Sequence, residues 1–224
     1  MPKYQAGILT KNKLINAAKK NFYYTGYEKA TIKDICNTAN VTRSSFFYYF
    51  KDKTDIADYI CNEVNYATLF KIQILLDSYN LTDDTPLNAN AFSASFFYAI
   101  LSNNHLLRFY AEALTSHSDI ILGNNFYRIF FIRLSKFLPQ KPTSGEFELF
   151  FIYGTSAPGN LLHKYLQGDF PASKTDIIRY IISRPLDPTI LTKHEIKDIE
   201  DESIRIAAEI NFDMGKLFLE ESTV

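Results

Sequence analysis

An all-α fold is predicted for this chain of 224 residues. Three observations predict it. In one segment after another, apolar residues recur at offsets of three and four, which puts them on one face of a helix. The segments open at Thr, Ser or Asp and close near Gly, Asn or Pro, the residues that cap and stop helices. The composition, 46% apolar and 22% charged, is that of a globular chain with room for one or two domains and a substantial core.

Residues 1–9 are expected to form a loose arm carrying Lys3. Thr10 to about Thr25 is the first helix, with Leu14, Ile15, Ala18 and Phe22 as its apolar stripe and Gly26 as its stop. The stretch TIKDICNTANVTRSSFFYYFKDK, Thr31 to Lys53, organises the rest. Thr31 caps a short helix, with Asp34 three residues on as in a capping box. Ile32, Ile35, Cys36 and Ala39 form its apolar face. Asn40 marks a sharp turn, because Asn tolerates a left-handed backbone. Val41 pins that turn to the core. Thr42 caps a second helix running from Arg43 to Phe50, and Asp52 caps a third with Asp55 at its third position. Two short helices across so tight a turn are a helix-turn-helix, whose second helix enters the DNA major groove.

The next helix is expected from about Lys53 to Tyr79, with Ile56, Ile60, Val64 and Ala67 buried. Asn80 to Asn88 reads as a loop and the main internal break. Ala89 to Ser102 is apolar nearly all round and should be buried. His105 to about Ser116 and Asp119 to Leu138 are two further helices, the second broken by Pro139. Ser144 or Gly145 opens a helix that runs to about Gln167 and stops at Gly168. Pro158 should kink it, and Gly154 and Gly159 permit close backbone approach. Ser173 or Lys174 to Ser183 follows. Beyond the breaks at Pro185 and Pro188, apolar positions from Ile196 to Phe218 suggest one or two more helices, packed on the body or on a partner subunit.

The residues Ala17 and Ala18, Phe22, Gly26, Thr31, Ile35, Ala39, Val41, the run Phe46 to Phe50, Lys51 and Lys53 resemble the DNA-binding domain of the TetR (tetracycline-repressor-like) family of bacterial transcription regulators. The resemblance covers roughly residues 8 to 60. There are two departures. Asn40 stands where the family usually has Gly. Phe47 stands where the family usually has a Tyr whose hydroxyl reaches a phosphate, although Tyr48 and Tyr49 offer hydroxyls nearby. The resemblance implies a three-helix helix-turn-helix DNA-binding domain over 1–53, and a long linking helix over 53–79. It implies a helical ligand-binding and dimerisation domain over 54–183, which leaves 184–224 as a C-terminal helical extension. By the same resemblance, the helices at 144–167 and 174–183 would form a homodimer interface.

Charge divides the chain in the same place. Residues 1–53 hold ten basic and three acidic side chains, a net of +7, against −8 for the remainder and −1 overall. A basic head on an acidic body suits a protein that reads DNA, although Lys-rich helix faces are also simply solvated. Cys36 and Cys61 are isolated thiols, as in a reducing compartment. The start of the chain lacks the apolar run of a signal peptide, and no stretch approaches the roughly 18 apolar residues of a membrane span. A cytoplasmic protein with no membrane association is expected.

The DNA-facing candidates are Lys33, Thr42, Arg43, Ser44, Ser45, Tyr48, Tyr49 and Lys53. Arg43, the one Arg of the head, suits either a bidentate contact to guanine or a phosphate. Lys53 opens a helix against its dipole, which a phosphate would balance. In the body, Phe97, Phe109, Tyr110, Phe126, Tyr127, Phe130, Phe150 and Tyr153 would line a pocket for a small apolar or aromatic effector, or be plain core. His105, His117, His163 and His194 lack metal-ligand spacing. GxSxG, HExxH, P-loop and GxGxxG motifs are absent, so neither enzymatic chemistry nor a cofactor is expected. The expected function is that of a dimeric regulator, most simply a repressor, that binds palindromic double-stranded DNA and is released by an effector. Two alternatives stand beside it: a DNA-binding protein without an effector, governed by a protein partner or acting in chromosome organisation, and an all-helical enzyme or adaptor with a helix-turn-helix-like pair.

Overall fold

The computed structural model describes residues 3–81, 85–121, 143–183 and 191–222, without the side chains of residues 3–4, 116–121, 147, 150, 151 and 153–155. Every regular element among them is a helix. The first, α1 (Lys3–Thr25), begins earlier than expected, so residues 3–9 are helix and not a loose arm. Thr10 does not cap it. Its hydroxyl instead donates back to the Ala6 carbonyl at 2.9 Å, as a Thr inside a helix does. Gly26 ends α1 with φ +95°, a backbone conformation open to Gly.

The helix-turn-helix forms as its caps require. In α2 (Ile32–Ala39) the Thr31 hydroxyl accepts from the Asp34 amide, and the Asp34 carboxylate accepts from the Thr31 amide, which is a reciprocal capping box. Asn40 takes the left-handed turn at φ 54°, ψ 49°. Thr42 caps α3 (Arg43–Tyr49) by accepting from the Ser45 amide, and Phe50 leaves the helix in an extended conformation. Asp52 likewise caps α4 (Lys53–Asp77). The buried face of α4 carries Ile56, Ile60 and Val64 as expected and continues through Thr68, Leu69 and Ile72. Ala67 falls outside it and is exposed, because the step of four from Val64 lands on Thr68.

The body begins with α5 (Pro86–Leu101), which also starts early. Thr85 caps it and Pro86 occupies a first-turn position that needs no amide donor. Helix α6 (Asn104–Ile121) runs past both Ser116 and Asp119, so the expected stop and restart there do not occur. No Gly or Pro falls between those residues to break it. The rest of the expected helix to Leu138 lies outside the described residues. Helix α7 (Ser144–Gln167) is capped by Thr143 in a second capping box, continues through Pro158, and ends at Gly168 with φ 72°. It packs along α6. A Cβ at Gly159 would stand 2.7 Å from the Leu114 Cβ, so the two helices touch there almost backbone to backbone.

The extension is integral to the same chain's body. Helix α8 (Lys174–Ser183) buries Ile177, Ile178 and Ile182. Helix α9 (Lys193–Ile210) lies along α5 and is tied to α8 by Arg179, which meets Glu200 at 3.2 Å and Asp201 at 2.6 Å. The short α10 (Met214–Leu219) returns to α1 and α4.

Candidate nucleic-acid interface

Helix α3 offers an outward face because only one of its side chains is drawn fully inward. Phe46 is buried, and Phe50 just beyond the helix is buried beside it. One helical step of 100° per residue then turns Ser44, Phe47 and Tyr48 outward, with Arg43 at their edge. Tyr48 is 82% exposed and Phe47 51%. Arg43 is exposed, forms no hydrogen bond or ion pair among the described residues, and sits with its guanidinium 6.0 Å from the Phe47 ring. An exposed cation at the first position of a helix, against the dipole, is disfavoured until an anion approaches.

The remaining candidates divide between surface and scaffold. Lys33 on α2 is exposed. The hydroxyls of Ser44 and Ser45 lie 2.8 Å and 3.0 Å from the Thr42 hydroxyl. All three are bound up in the cap and hold the helix start in place. Tyr49 is half-buried against the core, with its ring edge-on to Tyr48 at 4.8 Å. Sequence reasoning left Phe47 off the outward face of α3, where it is exposed. The signal for it was present, since Phe46 and Phe47 cannot share one side of a helix and Phe46 has the core spacing.

Lys53, expected to meet a phosphate, has partners within the chain. Its ammonium donates to the carbonyls of Tyr27 at 2.7 Å, Ala30 at 3.2 Å and Glu28 at 3.3 Å, and it stands 4.4 Å from the centre of the Tyr27 ring. Burial lowers its pKa, with Glu112 and Glu28 working against that shift. Its three donors are spent on the loop between α1 and α2, so a phosphate would have to displace them. Burial similarly raises the Cys36 thiol, which lies behind the turn with its sulfur 3.8 Å from the Thr42 carbonyl.

Helix α6 grips the other side of that loop. Arg108 donates to the carbonyls of Tyr23 at 3.1 Å and Tyr24 at 2.7 Å, and Glu112 accepts from the Glu28 amide at 2.9 Å. Three of the proposed pocket residues are core. Phe97 and Phe109 are fully buried. Phe109 packs on Phe22 at 5.6 Å and on Phe218 at 5.1 Å, so it belongs to the joint between head and body. Tyr110 is buried and donates to Asn65 at 2.7 Å. Phe126, Tyr127 and Phe130 lie outside the described residues, as do the side chains of Phe150 and Tyr153. Among the described residues no group of three His, Cys, Asp or Glu is placed to hold a metal, and no helix is long and apolar enough to cross a membrane.

Residues 14–60 match the family model described as bacterial regulatory proteins, tetR family. The matched span covers α2, α3 and the parts of α1 and α4 that brace them. No curated protein matches the chain. A solved structure of HlyIIR, a mutant with one segment substituted by alanine, aligns with 88% of this chain and 95% of that chain, at 20% identity and a TM-score of 0.34.

Proposed function

We propose, from the premise that this chain is a DNA-binding helix-turn-helix regulator of the tetR family, that it acts as a homodimeric repressor on a palindromic operator and is released by a small effector. The observation that carries the reading is the outward face of α3: an exposed Arg43 without a hydrogen bond or ion pair among the described residues, an exposed Phe47 and an exposed Tyr48, held by a capped turn. Arg43 supplies the bidentate fork that guanine O6 and N7 accept. Phe47 supplies the apolar surface that a thymine methyl takes. Two heads are needed to span half-sites about one DNA turn apart. The helices α7 and α8 present exposed Leu149, Ile152 and Tyr180, which suits them to the dimer contact.

The effector reading is supported by Asn90 on α5. It is fully buried, and neither of its amide atoms has a hydrogen-bond partner among the described residues. A buried amide left so is costly, and an effector with an apolar body and one polar group would meet it. Release then requires that the effector bind the two states of the protein with different affinity.

The test is a binding titration on the protein's own upstream intergenic DNA at two salt concentrations, with footprinting. The expected result is a protected palindrome whose affinity falls steeply with salt. Arg43→Ala should lose about 1–3 kcal/mol, confined to one base position. A salt-independent interaction, or none on a genome-wide selection of fragments, would overturn the DNA reading.

A further inference from the structure

Residues 213–222 form a strap that crosses the joint between head and body. Phe218 is fully buried, with its ring 5.1 Å from Phe109 of α6 and 6.0 Å from Tyr23 of α1. Gly215 lies against both elements at once. A Cβ there would stand 2.3 Å from the Asn103 amide nitrogen and 2.8 Å from the Tyr23 hydroxyl. Past α10, the Glu220 carbonyl accepts from Lys19 at 2.9 Å. Lys19 is 2% exposed and also pairs with Glu63 of α4 at 2.6 Å. The Ser222 hydroxyl reaches both oxygens of the same Glu63 carboxylate, at 2.8 Å and 2.9 Å, and the Ser222 amide donates to Asn16 at 3.0 Å.

Together these contacts join the strap to α1, α4, α6 and the turn before α6. Partly buried, charge-assisted bonds of this kind favour one geometry, and a buried aromatic wedge leaves little room for alternative packings. The cluster lies away from the outward face of α3, between α1, α4 and α6. Together with the grip of α6 on the head through Arg108 and Glu112, it ties α1 to the body.

We propose that this strap sets the operator spacing: Phe218, Ser222, Lys19 and Glu63 are positioning residues that hold each head at one angle, so that the dimer accepts one half-site separation and rejects others. The proposal rests on the dimeric, palindrome-reading function above. One inserted base pair moves a half-site by about 3.4 Å and rotates it by about a tenth of a turn, and a stiff joint cannot follow that change.

The experiment compares the full chain with a form ending at Asn211, and with Phe218→Leu and Ser222→Ala. Three DNAs are titrated: a single half-site, the palindrome, and the palindrome with one base pair inserted at its centre. The full chain should lose at least about tenfold on the insertion. The strap variants should lose less than about threefold, while their half-site affinity stays as it was, which shows that the head is folded. Equal selectivity in all forms, or a full chain indifferent to the insertion, would overturn the proposal. A second readout needs no DNA. Spin labels at Ser44→Cys and Lys197→Cys, in a chain whose own two thiols are buried, should show a narrow distance distribution that broadens in Phe218→Leu. An unchanged width would overturn the strap even if no operator were found, whereas broadening without palindrome binding would leave the strap standing and count against the dimeric reading.

Discussion

Helix α3 and helix α5 show how differently the two halves of this molecule are held. Of the seven residues of α3, Phe46 alone is buried, and of the sixteen of α5, thirteen are. The first is positioned from its ends, by the Thr42 cap and the left-handed Asn40, and leaves its face for something else to use. The second is fixed by its surroundings, with α4, α6, α8 and α9 packed around it. The head therefore rests on caps and a turn set by single residues, with a few longer ties to α6, and the body on extended apolar burial, and each should fail in its own way.

The sharpest break is Phe46→Ala. Emptying a fully buried aromatic site should cost about 3–5 kcal/mol, and chemical denaturation should show the head unfolding first. Hydrogen exchange in α5 should stay slow if the comparison is right. Fast exchange there would mean that the halves unfold as one. Gly159→Ala strikes the body instead. Its Cβ would force α6 and α7 apart at a cost of about 1–3 kcal/mol, lowering the body's stability while half-site binding by the head persists. Lys53→Met should cost the head about 1–2 kcal/mol through the loss of its carbonyl contacts. The salt dependence of DNA binding should not change, whereas a slope flattened by about one would return Lys53 to the phosphate contacts. The smallest effect is Asn40→Gly, which relieves the left-handed strain and should raise stability by a few tenths of a kcal/mol. A loss instead would show that the Asn side chain does more than tolerate the turn.

The difference between the halves also decides what could be read from sequence. The caps at Thr31, Thr42 and Asp52 and the turn at Asn40 are properties of single residues, so the helix-turn-helix was legible in detail. So was Gly168 as the end of α7. Pro86 was misjudged because Pro both breaks helices and starts them, and Thr85 before it decides which. Counting Lys as surface charge overstated the basic face, because Lys19 and Lys53 spend their ammonium groups on Glu63 and on backbone carbonyls. Both pairings span tens of residues and leave no local trace. Phe109 was equally ambiguous, since spacing marks an apolar face but does not name its partner, which here includes Phe218 near the far end of the chain.

The strap also imposes an order on synthesis. The caps and turn of the head lie within the first 53 residues, so its helix-turn-helix can form while the ribosome is still making the body. Glu63 must then wait for Ser222, 159 residues later, before this tie can form. A nascent chain could therefore carry a folded head well before the segment that ties it to the body has been made.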